Sequence, residues 1–197
     1  MAVHVILNEL NQPVKLEKVG DPGVSAPKPE GFLKVNPRGM VPTLVDDDIV
    51  LREGGAILVY LLDKHKSPLL PREGKERAAA LEWLMFCNAT LHPAFGRAFG
   101  ALRVPEDVRE RALAAAVEQI NKLLEDVEDR LSKSPYLAGK ELTAGDILLS
   151  VIANWTSYIP QPINIGPHTK KLIKSLIARP AYQKALATEK VEYKAAA

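Results

Sequence analysis

NPRGMVPTLVDDDIVLREGGAI, residues 36–57, holds a helix stop, two short β-branched runs and a new helix start in one stretch. Pro37 and Gly39 stop the short helix read in GFLKV, because proline removes a backbone donor and glycine tolerates the turn. VPTLV and DIVL are separated by the acidic turn around Asp46 to Asp48, which predicts an antiparallel hairpin. Pro42 cannot donate to a sheet ladder, so it belongs where the sheet edge is free. A cis Val41–Pro42 bond there turns the Val41 backbone outward, where it can pair with an extended peptide through main-chain hydrogen bonds. LREGGAILVYLLDKH then reads as an amphipathic helix entered through Glu53, Gly54 and Gly55. Two readings of Glu53 are open. Its carboxylate can cap the helix, or it can stand beside the free N–H groups and receive the ammonium of a zwitterionic ligand whose carboxylate sits on the helix start.

Working outward, residues 2–10 (AVHVILNEL) carry a helical pattern ended by Pro13, and Val14 to Val19 (VKLEKV) alternate as a half-buried strand does. DPGVSAPKPEG is a surface loop by composition. Downstream, SPLLPREG (67–74) has two prolines, a glycine and no periodicity, so it is a linker between a mixed unit, 1–66, and a helical unit, 75–197. That helical unit opens with a long helix from about Lys75 to Leu102 with Pro93 inside it, and a second from about Pro105 to Ser132 with i, i+4 charge pairs. LTAGDILLSVIANW starts with a capping box, Thr143 with Asp146 three residues on. Helices near 168–178 and 180–188 follow, and the tail KVEYKAAA is expected to fray.

The 197 residues are 47% hydrophobic, enough for one large core or two modest ones. Twenty-six basic against 24 acidic residues leave +2, spread without long runs, which gives no field to hold nucleic acid or anionic lipid. No apolar run approaches the roughly 20 residues of a membrane span. A single cysteine, Cys87, excludes an internal disulfide, and a reducing, cytoplasmic setting is expected. His4, His65 and His168 have no second ligand-type residue at useful spacing, so no metal site is expected.

The order NPxGxVPxL, Glu-Gly helix start, a histidine in TLHPAF and a late capping box resembles bacterial beta-class glutathione transferases over nearly the whole chain. The resemblance implies an α/β plus all-α architecture, a thioredoxin-like half followed by a helical bundle, in a homodimer with glutathione as co-substrate. It implies glutathione contacts at Val41, Pro42, Glu53 and Gly54, with His92 as the catalytic residue pointing at the glutathione thiol. Asn88 shares the His92 stripe and can orient its ring. A small electrophile is expected near Asn88, Phe95, Phe99, Trp155 and Tyr158. A core-packing role is the alternative for both His92 and Trp155. Pro93 stands where related proteins often carry a basic residue. Cys87 diverges from His92 by about 140° around a helix and reads as a buried, inert thiol.

Relatives begin with a strand and a cysteine-bearing turn, whereas this sequence opens inside the helix that follows them. The expected consequence is a first half lacking its first strand, with the gap left by a late start assignment, filled by another segment or chain, or accommodated by looser order. Thiol activation then falls to His92, backbone donors and the helix dipole. The function expected is conjugation of the glutathione thiol to small electrophiles, the alternative being a catalytically weakened glutathione- or protein-binding module on the same fold.

Overall fold

The computed structural model describes residues 1–20 and 28–195. Most of the loop expected in DPGVSAPKPEG lies outside the described residues. The first half runs α1 (Ala2–Glu9), α2 (Glu30–Val35), β1 (Thr43–Asp46), β2 (Ile49–Arg52) and α3 (Gly54–Lys64). β1 and β2 form the expected antiparallel hairpin, with Thr43 opposite Arg52 and Asp46 opposite Ile49. Asp47, at φ 53°, makes the tight turn. The end of β1 is tied to α3, because the Asp46 carboxylate accepts from the Tyr60 hydroxyl at 2.9 Å and from Lys64.

The expected strand at 14–19 does not form: among the described residues these positions join no sheet ladder, and Val14 and Leu16 are exposed. Alternation alone does not make a strand, since the ladder hydrogen bonds need a neighbour and the apolar face needs a surface to cover.

The second half comprises α4 (Gly74–Met85), a π turn (Phe86–Leu91), α5 (His92–Ala101), α6 (Glu106–Lys133), α7 (Ala144–Ala153), a 3₁₀ turn (Asn154–Tyr158), α8 (Pro167–Ile177) and α9 (Pro180–Glu189). The single helix expected over 75–102 is thus α4 and α5 joined through a wide turn. Pro93 explains it. The ring has no N–H to give and crowds the carbonyl one turn back, and the π turn placed just before it absorbs both defects without breaking the helix.

α5 packs on α6, α4 on α7, and α1 on both α3 and α9. One apolar core therefore runs through both halves, from Ile6 and Leu58 to Leu84, Phe95, Ile120, Ile147 and Tyr182, all nearly or wholly removed from solvent. Each such side chain contributes about 1.5–3 kcal/mol by burial. The capping box forms as read: the Thr143 N–H and hydroxyl donate to Asp146, which also accepts from the Leu137 N–H at 2.8 Å. Fraying was expected over 190–197; of the described residues of that tail, Glu192 to Lys194 are held. Asn154 donates to the Glu192 carbonyl and accepts from the Lys194 N–H, and Tyr193 donates to the Ser150 carbonyl at 2.6 Å.

Candidate functional site

Two loops of the first half meet at one surface. The loop 37–42, between α2 and β1, carries the cis Val41–Pro42 bond and presents Met40 and Val41, 66% and 60% exposed. It is built around Asn36, which is fully buried. The Asn36 amide donates to the Met40 carbonyl at 2.8 Å and to Thr43 Oγ1 at 2.9 Å, and its Oδ1 accepts from the Arg38 N–H and from Arg52 Nε. Arg52 also donates to the Val35 carbonyl, so the loop is fastened to the last residue of β2.

Glu53 follows Arg52 directly. Its φ of 73° is unusual for a residue with a side chain, and conformations of this kind cluster at ligand sites. Glu53 occupies the cap position of α3 without forming a side-chain cap bond, which removes the capping reading. Its carboxylate stays 72% exposed, 3.7 Å from Arg38 of the Val-Pro loop. The free N–H groups of the α3 start lie beside it, and Pro42 reaches Gly54: a Cβ there would lie 3.7 Å from the Pro42 ring. A carboxylate, an uncapped helix start and the exposed Val-Pro loop thus share one edge.

The helical half enters this edge through Asn88 in the π turn. A Cβ on Gly55 would meet the Asn88 carboxamide carbon at 3.1 Å, so the absence of a side chain at 55 is what lets the two halves close here. Among the described residues Asn88 makes no hydrogen bond to His92, and its carboxamide packs on Gly55. Four residues on, His92 opens one side of its ring to solvent and lays the other against Trp155, with centroids 4.9 Å apart. That desolvation lowers the imidazole pKa below its ordinary value, so at neutral pH the ring is uncharged and able to accept a proton.

Trp155 gathers the aromatic side of the site. Phe95 and Phe99 meet it edge-on at 6.0 and 6.1 Å. Phe95 is fully buried and forms the floor under Trp155, whereas Tyr158, 56% exposed, stands at the far end of the 3₁₀ turn. Cys87 is wholly buried, donates weakly to the Gly145 carbonyl, and has its pKa pushed up first by desolvation and then by Asp146. It is the inert thiol the spacing suggested. Among the described residues no cluster of three or more His, Cys, Asp or Glu could hold a metal ion, and no helix is long and apolar enough to cross a membrane. The residues that sequence reasoning passed over are Asn36 and Arg52, whose signal was only the NP dipeptide and the Arg-Glu-Gly step.

Comparison with known proteins finds relatives of both halves of the chain. Residues 1–69 match the family described as Glutathione S-transferase, N-terminal domain, and residues 83–180 match Glutathione S-transferase, C-terminal domain. The chain is 35% identical to glutathione S-transferase 3 of Zea mays, over 94% of this chain and 87% of that one. Among solved structures, a theta-class glutathione S-transferase from Xanthomonas axonopodis pv. citri, with glutathione bound, is 32% identical with a TM-score of 0.77, covering 93% and 89% of the two chains. A beta-class enzyme from Sphingomonas chungbukensis is 28% identical with a TM-score of 0.78, covering 97% and 94%. Beta and theta classes align about equally well.

Proposed function

The chain belongs to the glutathione S-transferase family, and on that premise we propose that its Val41 loop, Glu53 helix start and His92 form the site where glutathione is bound and its thiol transferred. The protein is a glutathione transferase, with glutathione as co-substrate. The observation that carries our placement of the site is the start of α3, where Glu53 is exposed and uncapped beside free backbone donors and the Val41–Pro42 edge. The γ-glutamyl carboxylate sits on the N–H groups of Gly54 and Gly55, its ammonium on Glu53, and the cysteinyl main chain pairs with Val41.

The peptide then extends toward the helical half, and its sulfur lies near His92. The neutral imidazole takes the thiol proton, and the thiolate attacks an electrophilic carbon of a small apolar compound held against Trp155. A carbon–sulfur bond forms, the leaving group departs with its electron pair, and the proton passes from His92 to water. With Pro93 in place of a basic residue, no second cation at that position assists the thiolate. We further propose a homodimer in the cytoplasm, with a glutathione half at 1–66 and a helical half at 75–197 joined by 67–74. The experiment is glutathione-dependent turnover of an aryl halide, compared with Glu53→Gln: the variant raises KM for glutathione about tenfold or more. An unchanged KM sinks the placement of glutathione at α3.

A further inference from the structure

The two pieces of the proposed glutathione site come from different loops, and something must set the distance between them. The hairpin does so only in part, because Val41 precedes its first paired residue and Glu53 follows its last. Asn36 spans the gap. Its amide uses its full capacity: both N–H groups donate, to Met40 and Thr43, and its oxygen accepts from Arg38 and from Arg52. Met40 is the residue before Val41, and Arg52 is the residue before Glu53. One fully buried carboxamide thus joins the immediate neighbours of both ligand-contacting positions, and it is reinforced by the Arg52 bond to Val35 at 2.9 Å.

We propose that Asn36, acting with Arg52, is a positioning residue that fixes the separation of the Val41 backbone from the Glu53 carboxylate and so controls glutathione affinity. This rests on the placement of glutathione proposed above. The assignment is specific to asparagine. The partners are two acceptors on one side and two donors on the other, so the orientation of the amide is set by its neighbours, and no other side chain of this length offers two donors and two acceptors. Aspartate has the same shape but no donor. It keeps the Arg38 and Arg52 bonds while turning an acceptor toward the Met40 carbonyl, so Asn36→Asp releases the Val41 end of the loop and leaves the β2 end held. Arg52→Ala does the reverse.

Neither residue touches the reacting atoms, so the effect falls on glutathione binding and leaves the chemical step alone. By calorimetry on folded protein, Asn36→Asp weakens glutathione binding about tenfold and Arg52→Ala about threefold to tenfold, while kcat at saturating glutathione stays within about twofold. A residue that merely supports the fold lowers the melting temperature without that split. The decisive readout is a double-mutant cycle with Glu53→Gln. If Asn36 sets the spacing between Val41 and Glu53, its loss matters less once Glu53 is gone, and the combined loss is smaller than the product of the two by about threefold or more. Losses that simply multiply, or variants that bind as tightly as the wild type, overturn the inference. Should Asn36→Asp fail to fold, Arg52→Ala carries the same cycle. A folded wild type that shows no glutathione binding overturns the placement of the site itself, and this inference with it; binding by the wild type with no effect of either variant overturns this inference alone.

Discussion

Glu128 on α6 caps a helix 40 residues away. Its carboxylate accepts from the backbone N–H groups of His168 and Thr169, both at 2.9 Å, from the Thr169 hydroxyl at 2.7 Å, and from the His168 ring. Partial burial pushes its pKa up, but these donors outweigh it and bring the group down to about 2, from an ordinary 4.5. The difference corresponds to a ceiling of about 3 kcal/mol, and water still reaches the side chain, which is 23% exposed. Discounted for that screening, Glu128→Gln costs about 1.5 kcal/mol at pH 7, in line with the loss of a helix cap. Because the folded pKa is depressed, this stability is present above pH about 4.5 and is lost as pH falls toward 2; by pH 3.5 about two-fifths of it is gone. Urea unfolding of wild type and variant at pH 7 and pH 3.5 measures both numbers. Gly166→Ala should act through the same contact, since a Cβ there would lie 2.2 Å from the Glu128 carboxyl carbon. A wild-type advantage that is absent at pH 7, or equal at the two pH values, refutes the reasoning.

His92→Gln lowers kcat by tenfold to a hundredfold or so; since the pKa of His92 is lowered by desolvation, wild-type turnover holds down to pH about 6.5 and falls only below it, and a pH–rate profile of the variant lacks that limb. Trp155→Ala raises KM for an aromatic electrophile about tenfold and leaves glutathione affinity within about twofold, as separate titrations of the two substrates show. Buried Cys87 stays unreactive toward a disulfide reagent in native protein and reacts in urea, whereas Cys87→Ala retains glutathione-dependent turnover.

What could be read from the chain was local. The hairpin, the helix starting at Gly54, the cis Val41–Pro42 bond and the Thr143–Asp146 capping box each depend on residues a few positions apart, and each forms. The features that escaped depend on partners far along the chain. VKLEKV has strand periodicity, yet Val14 and Leu16 stay exposed because no strand lies beside them among the described residues. The tail KVEYKAAA looked free, yet Asn154 and Ser150 hold its residues Glu192 to Lys194 from about 40 residues away. Helical spacing put Asn88 on the His92 stripe, but its packing against Gly55 of the other half, from 33 positions earlier in the chain, could not be read from it. At Glu53 the helix start was legible, whereas its φ of 73° follows from the hairpin exit and has no signature in the sequence. Asn36, which sequence reading passed over within the helix stop, is buried to the last atom because its four hydrogen-bond partners come from both sides of the hairpin.

The measurement that bears most directly on the central claim is a calorimetric titration of glutathione into the wild-type chain and into Glu53→Ala. The placement of glutathione at the α3 start predicts binding by the wild type, weakened about tenfold or more in the variant while its unfolding temperature is kept. Equal binding by the two, or none by the folded wild type, contradicts it.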